Sequence, residues 1–236
     1  MKIRLITIPN LLTLANMMCG ILAIISTLVL DNMQAAFYLI IIAAVFDFFD
    51  GMVARLLGVS SPLGVQMDSL ADDITFGLAP ATVIFSFMKD SLVYPAFLGS
   101  FAVVLPYLAF LIAVFSACRL AKFNVDTRQT TSFIGLPTPA NALFWSSLIV
   151  GGNEWLLSLN HAWALILALI FLFSYFLISE IPMFSMKFKN LSWKSNKIRY
   201  IFLLVSLPML ALGYLAPVAI ISWYLALSVA LSKKRG

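Results

Sequence analysis

The sequence predicts an all-α polytopic membrane protein with about eight transmembrane helices, on three observations. First, 62% of its 236 residues are hydrophobic and only 11% are charged, a balance that leaves too little polar surface for a soluble domain. Second, apolar runs recur at the length of about 20 residues that a helix needs to cross a bilayer. Third, the 15 lysines and arginines fall almost all at the termini and in alternate connections between those runs, on one side of the expected membrane.

The spans are expected near 9–30, 33–57, 62–88, 94–122, 137–153, 161–182, 198–213 and 216–232 within one integral-membrane domain covering 1–236. The first opens with Met1-Lys2-Ile3-Arg4, like a secretory signal. Its apolar run continues to Leu30 without a small-residue cleavage site, so it reads as a retained span. Spans two and three are joined by a short link in which Gly58 stops one helix, Ser61 caps the next and Pro62 suits its first turn. So short a link predicts antiparallel neighbours. Span four ends on Arg119 and Lys122, and span six begins at His161, which reads as interfacial. Spans five and seven are the shortest. Cys19 and Cys118 match no metal or redox spacing and read as structural. Trp155, Trp163, Trp193 and Trp223 read as belt or packing residues.

The formal charge of +5 does not indicate nucleic acid, because the basic residues are dispersed rather than gathered into one patch. They report orientation. Lys2, Arg4, Arg55, Arg119, Lys122, Arg128, Lys187, Lys189, Lys194, Lys197, Arg199, Lys233, Lys234 and Arg235 fall on one side, and Lys89 alone on the other. That asymmetry predicts a cytoplasmic-membrane protein with both termini in the cytoplasm. The segment from Lys187 to Arg199 further suggests contact with anionic membrane lipids.

Five of the ten acidic residues lie between Asp47 and Asp73. Asp47, Asp50, Asp68 and Asp72 sit inside apolar spans, where each carboxylate costs about 2.5–3.5 kcal/mol even on a lenient insertion scale. Counting from the link at the helical rise, Asp50 and Asp68 fall at depths of about 12 and 9 Å, and Asp47 and Asp72 at about 16 and 15 Å. The i,i+3 spacing of Asp47 and Asp50 puts them on one face, as does the i,i+4 spacing of Gly64, Asp68 and Asp72. Two carboxylate faces can then meet across one cleft. At 4 Å and an effective dielectric of 20, each like-charged pair repels by about 4 kcal/mol. Two divalent cations would cancel the charge, and all-oxygen ligation favours Mg²⁺ or Mn²⁺ over Zn²⁺. Gly51 and Ala54 leave room for a bulky ligand, and Arg55 offers a charge for phosphate. Together these features indicate phosphoryl-group transfer.

The run Asp47-Phe48-Phe49-Asp50-Gly51-Met52-Val53-Ala54-Arg55, followed at fixed spacing by Gly64, Asp68 and Asp72, resembles the signature of the CDP-alcohol phosphotransferase family. The resemblance implies a six-helix membrane core within 1–182, leaving 183–236 as a basic cytoplasmic loop and two further spans. It also implies a homodimer and two divalent cations. Within the family the chain resembles the phosphatidylserine synthase subgroup, through Ile8-Pro9-Asn10-Leu11-Leu12-Thr13-Leu14-Ala15-Asn16, Ala117 to Asn124 and Gly135 to Asn141. The reaction so implied joins CDP-diacylglycerol and L-serine to give phosphatidylserine and CMP. Asp47, Asp50 and Asp68 would hold metal. Asp72 would be a ligand or near-ligand that also takes the serine proton. Gly51, Ala54, Arg55 and Gly64 would accommodate the nucleotide diphosphate, with polar contacts from Asn10 and Thr13. Arg119 and Lys122 are the candidates for the serine carboxylate, with Asn124 and Asn141 adding hydrogen bonds, and Asp73 stands behind the site. Inositol, inositol phosphate and glycerol phosphate are rival acceptors. A cation or proton transporter is the alternative from another class, disfavoured because the acids cluster around one link with no inverted repeat. No GxxxxGK loop indicates ATP use.

Overall fold

The computed structural model describes residues 6–126, 128, 133–184 and 192–232. Lys2, Arg4, Lys187, Lys189, Lys233, Lys234 and Arg235, and the side chain of Lys194, lie outside the described set. Five stretches are long and apolar enough to cross a membrane: Ile8–Leu28, Met33–Leu57, Pro62–Asp90, Leu105–Val125 and Asn196–Ser232. Two more helices are α6 (Thr138–Ser158) and the shorter apolar α7 (Ala162–Ile178). The last long stretch is interrupted at Gly213, whose φ of 57° and ψ of −122° are not helical, so it holds two helices, α8 (Trp193–Met209) and α9 (Ala216–Ser232). The eight expected segments are present as an all-α membrane fold.

Local chemistry sets the helix ends as expected around the link. α1 (Ile8–Leu28) starts at Thr7, whose hydroxyl accepts from Asn10 N at 3.3 Å. α2 (Met33–Leu57) starts at Asn32 and ends at Gly58, which takes the left-handed conformation at φ 62° that a side chain would resist. Ser61 Oγ then accepts from Gly64 N at 3.0 Å to start α3 (Pro62–Asp72), with Pro62 in the first turn. α2 and α3 stand as neighbours across one cleft, as expected, and carboxylates from both meet there. Both pack mainly on α1, and direct α2–α3 packing is slight. α1 thus forms the floor between them and leaves a cleft above it.

The third span is not a uniform helix. After Asp72 the backbone widens into a π-helical stretch, Asp73–Leu78, before continuing as α4 (Ala79–Asp90). This stretch is packed too closely for side chains at two points. A Cβ on Gly20 of α1 would lie 2.3 Å from Thr75 Oγ1, and one on Gly77 would lie 3.1 Å from Ser116 Cβ. The fourth span also starts later than expected. Residues Ala96–Val103 form 3-10 helix broken at Gly99, Leu105–Phe110 form a second 3-10 piece, and only then does α5 (Leu111–Val125) run regularly.

α6 packs against α2, α4, α7 and α9 and contributes Trp145, fully buried and edge-on to Phe144 and Phe173. Two short strands, β1 (Phe133–Ile134) and β2 (Pro182–Met183), pair antiparallel beside the ends of α5 and α7. Gly135 follows β1 at φ 77°, and a Cβ there would stand 2.7 Å from Leu177 O. Its N–H donates to Ile181 O at 3.0 Å, and Leu136 N donates to Phe176 O at 2.9 Å. The Gly135-Leu136-Pro137 segment therefore closes the end of α7. At the opposite end of the bundle, Tyr214 ties the α8–α9 turn to α2 and α6, through a 2.8 Å bond between its hydroxyl and Tyr38 and through its carbonyl to Ser147 at 2.5 Å.

Candidate active site

The two halves of the acidic signature converge. Asp47 and Asp50 on α2 and Asp68 on α3 each place one carboxylate oxygen within 4.8 Å of the others. Asp50 is buried, while Asp47 and Asp68 are partly buried. Among the described residues no lysine or arginine forms an ion pair with any of the three. Asp68 Oδ1 is buried with no hydrogen-bond partner among the described residues. An uncompensated cluster of hard oxygen donors with an orphaned carboxylate oxygen is the donor set that suits a divalent cation, and these residues fit one. Asp72 lies beyond this group, 7% exposed, and one of its oxygens is engaged elsewhere.

That engagement comes from α1, whose polar residues Asn10, Thr13 and Asn16 are all buried, the first two in the wall of the cleft. Thr13 Oγ1 donates to Asp50 Oδ2 at 2.5 Å, so its hydroxyl orients a carboxylate as well as lining the cleft. Asn16 Nδ2 donates to Asp72 Oδ1 at 3.0 Å. Thr75, in the π-helical stretch, donates to Asn16 O at 3.1 Å. Asn16 was not among the sequence candidates. The available signal was its spacing from Asn10 and Thr13, which makes a polar stripe along an otherwise apolar helix.

The cleft between α2 and α3 has a cavity volume of about 180 Å³ and is lined by Asn10, Thr13, Asp50, Gly51, Ala54, Arg55, Gly64 and Asp68, among others. All the residues expected to accommodate a nucleotide diphosphate therefore share one wall system. Gly51 is open: a Cβ there would meet only Arg55 Nη1, at 3.6 Å. Gly64 is tighter, with Asn10 Oδ1 and Ser61 Oγ each 3.3 Å from the position of a Cβ. Arg55 is exposed at the cleft and has no ion-pair partner among the described residues.

The four candidates for acceptor binding separate into two pairs. Lys122 is paired with Glu180 and also donates to Ile178 O at 3.3 Å. Asn124 Nδ2 donates to Ser69 Oγ at 2.8 Å, joining α5 to α3. Both are committed to contacts that hold neighbouring segments together. Lys122, with Arg128, holds the Glu180 carboxyl below its ordinary range, and Asp126 beside Arg128 holds that guanidinium above its own. By contrast, Arg119 is only 6% exposed, its Nε has no partner among the described residues, and its guanidinium stands 5.3 Å from the Phe123 ring. Asn141 is fully buried, with both side-chain polar atoms unpartnered.

Residues 6–174 match the model of the family described as CDP-alcohol phosphatidyltransferase. The chain belongs to this family. The match runs from α1 through most of α7, leaving α8 and α9 beyond it. Among similar proteins, the CDP-diacylglycerol–serine O-phosphatidyltransferase of Bacillus subtilis (strain 168) is 38% identical over 136 residues, 56% of this chain and 69% of the relative. A protein of the same name from Helicobacter pylori (strain ATCC 700392 / 26695) is 29% identical over 221 residues, 93% of this chain and 86% of the relative. The archaetidylserine synthase of Methanothermobacter thermautotrophicus (strain ATCC 29096 / DSM 1053 / JCM 10044 / NBRC 100330 / Delta H) is 36% identical over 149 residues, 62% of this chain and 59% of the relative. As a CDP-alcohol phosphatidyltransferase, the chain is an integral-membrane transferase, and its acidic cluster falls within the matched region.

Proposed function

We propose that the protein transfers the phosphatidyl group of CDP-diacylglycerol to the hydroxyl of L-serine, releasing CMP. The observation that carries this reading is the meeting of Asp47, Asp50 and Asp68 beside the open wall at Gly51 and Ala54, in a chain whose relatives are named for that transfer. Asp47, Asp50 and Asp68 would hold two divalent cations, Mg²⁺ or Mn²⁺, with Asp72 next to them. The chemistry such cations supply when bound is neutralisation of charge on the diphosphate and on the departing CMP.

The chain's own residues position and move the proton. Gly51 and Ala54 give the nucleotide diphosphate close approach to the α2 backbone, and Arg55 adds a fixed positive charge at the cleft. Asp72 takes the proton from the serine hydroxyl. The serine oxygen bonds to the phosphatidyl phosphorus as the bond from that phosphorus to the CMP oxygen breaks, its electron pair leaving with CMP. Arg119 binds the serine carboxylate, with Asn141 as a hydrogen-bonding partner, because these two candidates keep unpartnered polar atoms. Burial strengthens such a contact relative to water. The basic asymmetry of the loops supports a site on the cytoplasmic side, where soluble serine meets a lipid whose chains stay in the bilayer. The homodimer in this reading rests on the family resemblance alone.

The test is turnover of the purified protein with CDP-diacylglycerol and serine, inositol, inositol phosphate or glycerol phosphate in parallel. Serine is expected to be the acceptor, with activity lost to a chelator and restored by Mg²⁺ or Mn²⁺. Preference for another alcohol refutes the acceptor, and full turnover without metal refutes the role of the acidic cluster.

A further inference from the structure

We infer that Asn16 is a positioning residue for Asp72, selecting which oxygen of that carboxylate serves as the base. This rests on the assignment of Asp72 as the proton acceptor. The Asn16 amide donates to Asp72 Oδ1 at 3.0 Å, while its own Oδ1 has no partner among the described residues, so among them the side chain's hydrogen bond goes to Asp72. A carboxylate oxygen that already accepts a hydrogen bond is the poorer proton acceptor, which leaves Oδ2 for the serine hydroxyl.

Asn16 itself is held firmly. It is fully buried, Thr75 donates to its carbonyl at 3.1 Å, and one turn further along α1 Gly20 lets the Thr75 backbone approach closer than any side chain would allow. The π-helical stretch that begins right after Asp72 is therefore locked to the same turn of α1 that donates to Asp72. Thr13 does the same for Asp50 one turn earlier. α1 thus orients one carboxylate from each half of the signature.

The experiment compares Asn16→Leu, which keeps the bulk without the donor, and Asn16→Asp, which keeps the shape, with the wild-type protein and with Asp72→Asn. A hydrogen bond to a charged group sets the scale, so kcat is expected to fall about tenfold to a hundredfold in both Asn16 variants. The KM for CDP-diacylglycerol and the melting temperature in detergent should stay close to wild type. In the Asp72→Asn background, adding Asn16→Leu should change kcat by less than about twofold, since a residue acting only through Asp72 has nothing left to orient. Equal losses in both backgrounds, or a loss confined to KM or to melting temperature, overturn the proposal. Near-normal turnover of Asp72→Asn alone overturns the base assignment instead, and severe loss there with a normal Asn16→Leu overturns the positioning role only.

Discussion

Replacing Gly51 by alanine separates room kept for a ligand from room kept for packing. Within the protein the added methyl meets only Arg55 Nη1, at 3.6 Å, an ordinary contact. Gly51 lies inside α2, where exchanging glycine for alanine favours the helix by about 0.5–1 kcal/mol. The ligand-free variant should therefore melt at the wild-type temperature or slightly above. The methyl projects at a wall of the cleft that also carries Asp50, Ala54 and Arg55, so it occupies space assigned to the diphosphate. One methyl in a fitted pocket is worth about 1–3 kcal/mol, so the KM for CDP-diacylglycerol should rise about 10- to 200-fold. Initial rates in mixed micelles give the KM, and a detergent melting curve gives the stability. Gly20→Ala is the control with the opposite pattern. Its methyl would stand 2.3 Å from Thr75 Oγ1 and 2.8 Å from Thr75 Cα, an overpacking that destabilises by about 1–3 kcal/mol. An unchanged KM in Gly51→Ala would show that the nucleotide does not lie against α2, and a large drop in its melting temperature would show that the glycine serves packing.

Arg119→Met should raise the KM for serine strongly, since loss of one partner of a buried charged contact costs about 2–5 kcal/mol, while CDP-diacylglycerol binding stays nearly intact. Lys122→Met should leave the serine KM close to wild type, because Lys122 is already paired with Glu180; the reverse ranking in a kinetic assay would exchange the two roles. For orientation, cysteines placed at Ser60 and at Val93, in a protein with Cys19 and Cys118 replaced by alanine, should label from the cytoplasm and from outside respectively in sealed membranes. Labelling of Ser60 from outside would refute the cytoplasmic site.

The acidic signature was legible in sequence because each half lies within one helix, where spacing alone decides the shared face. The helix ends at Gly58 and Ser61 were legible for the same reason, since caps act over three or four residues. Less was legible where a backbone departs from ideal geometry. The π-helical stretch after Asp72 and the broken start of the fourth span follow from packing against α1 and α5 and from the conformation at Gly99, neither of which leaves a period in the sequence. The Lys122–Glu180 pair joins residues distant along the chain, so a basic residue near a helix end looked as available as Arg119 until its partner was seen.

By itself, then, the sequence determined the all-α membrane class, the order of the helical segments, the family signature and the carboxylates that carry it. Apolar length, charge asymmetry and i,i+3 or i,i+4 spacing are properties of neighbouring residues, and they survive in a one-dimensional record. Tertiary structure decided that α1, rather than direct packing of α2 on α3, separates and supports the two acidic helices. It decided that Asn16 and Thr13 reach Asp72 and Asp50. It also decided which basic side chain is left with an unpartnered nitrogen beside the site. The physical reason is that a hydrogen bond or ion pair across helices depends on the distance between side chains brought together only by folding, and that distance is not set by their separation along the chain.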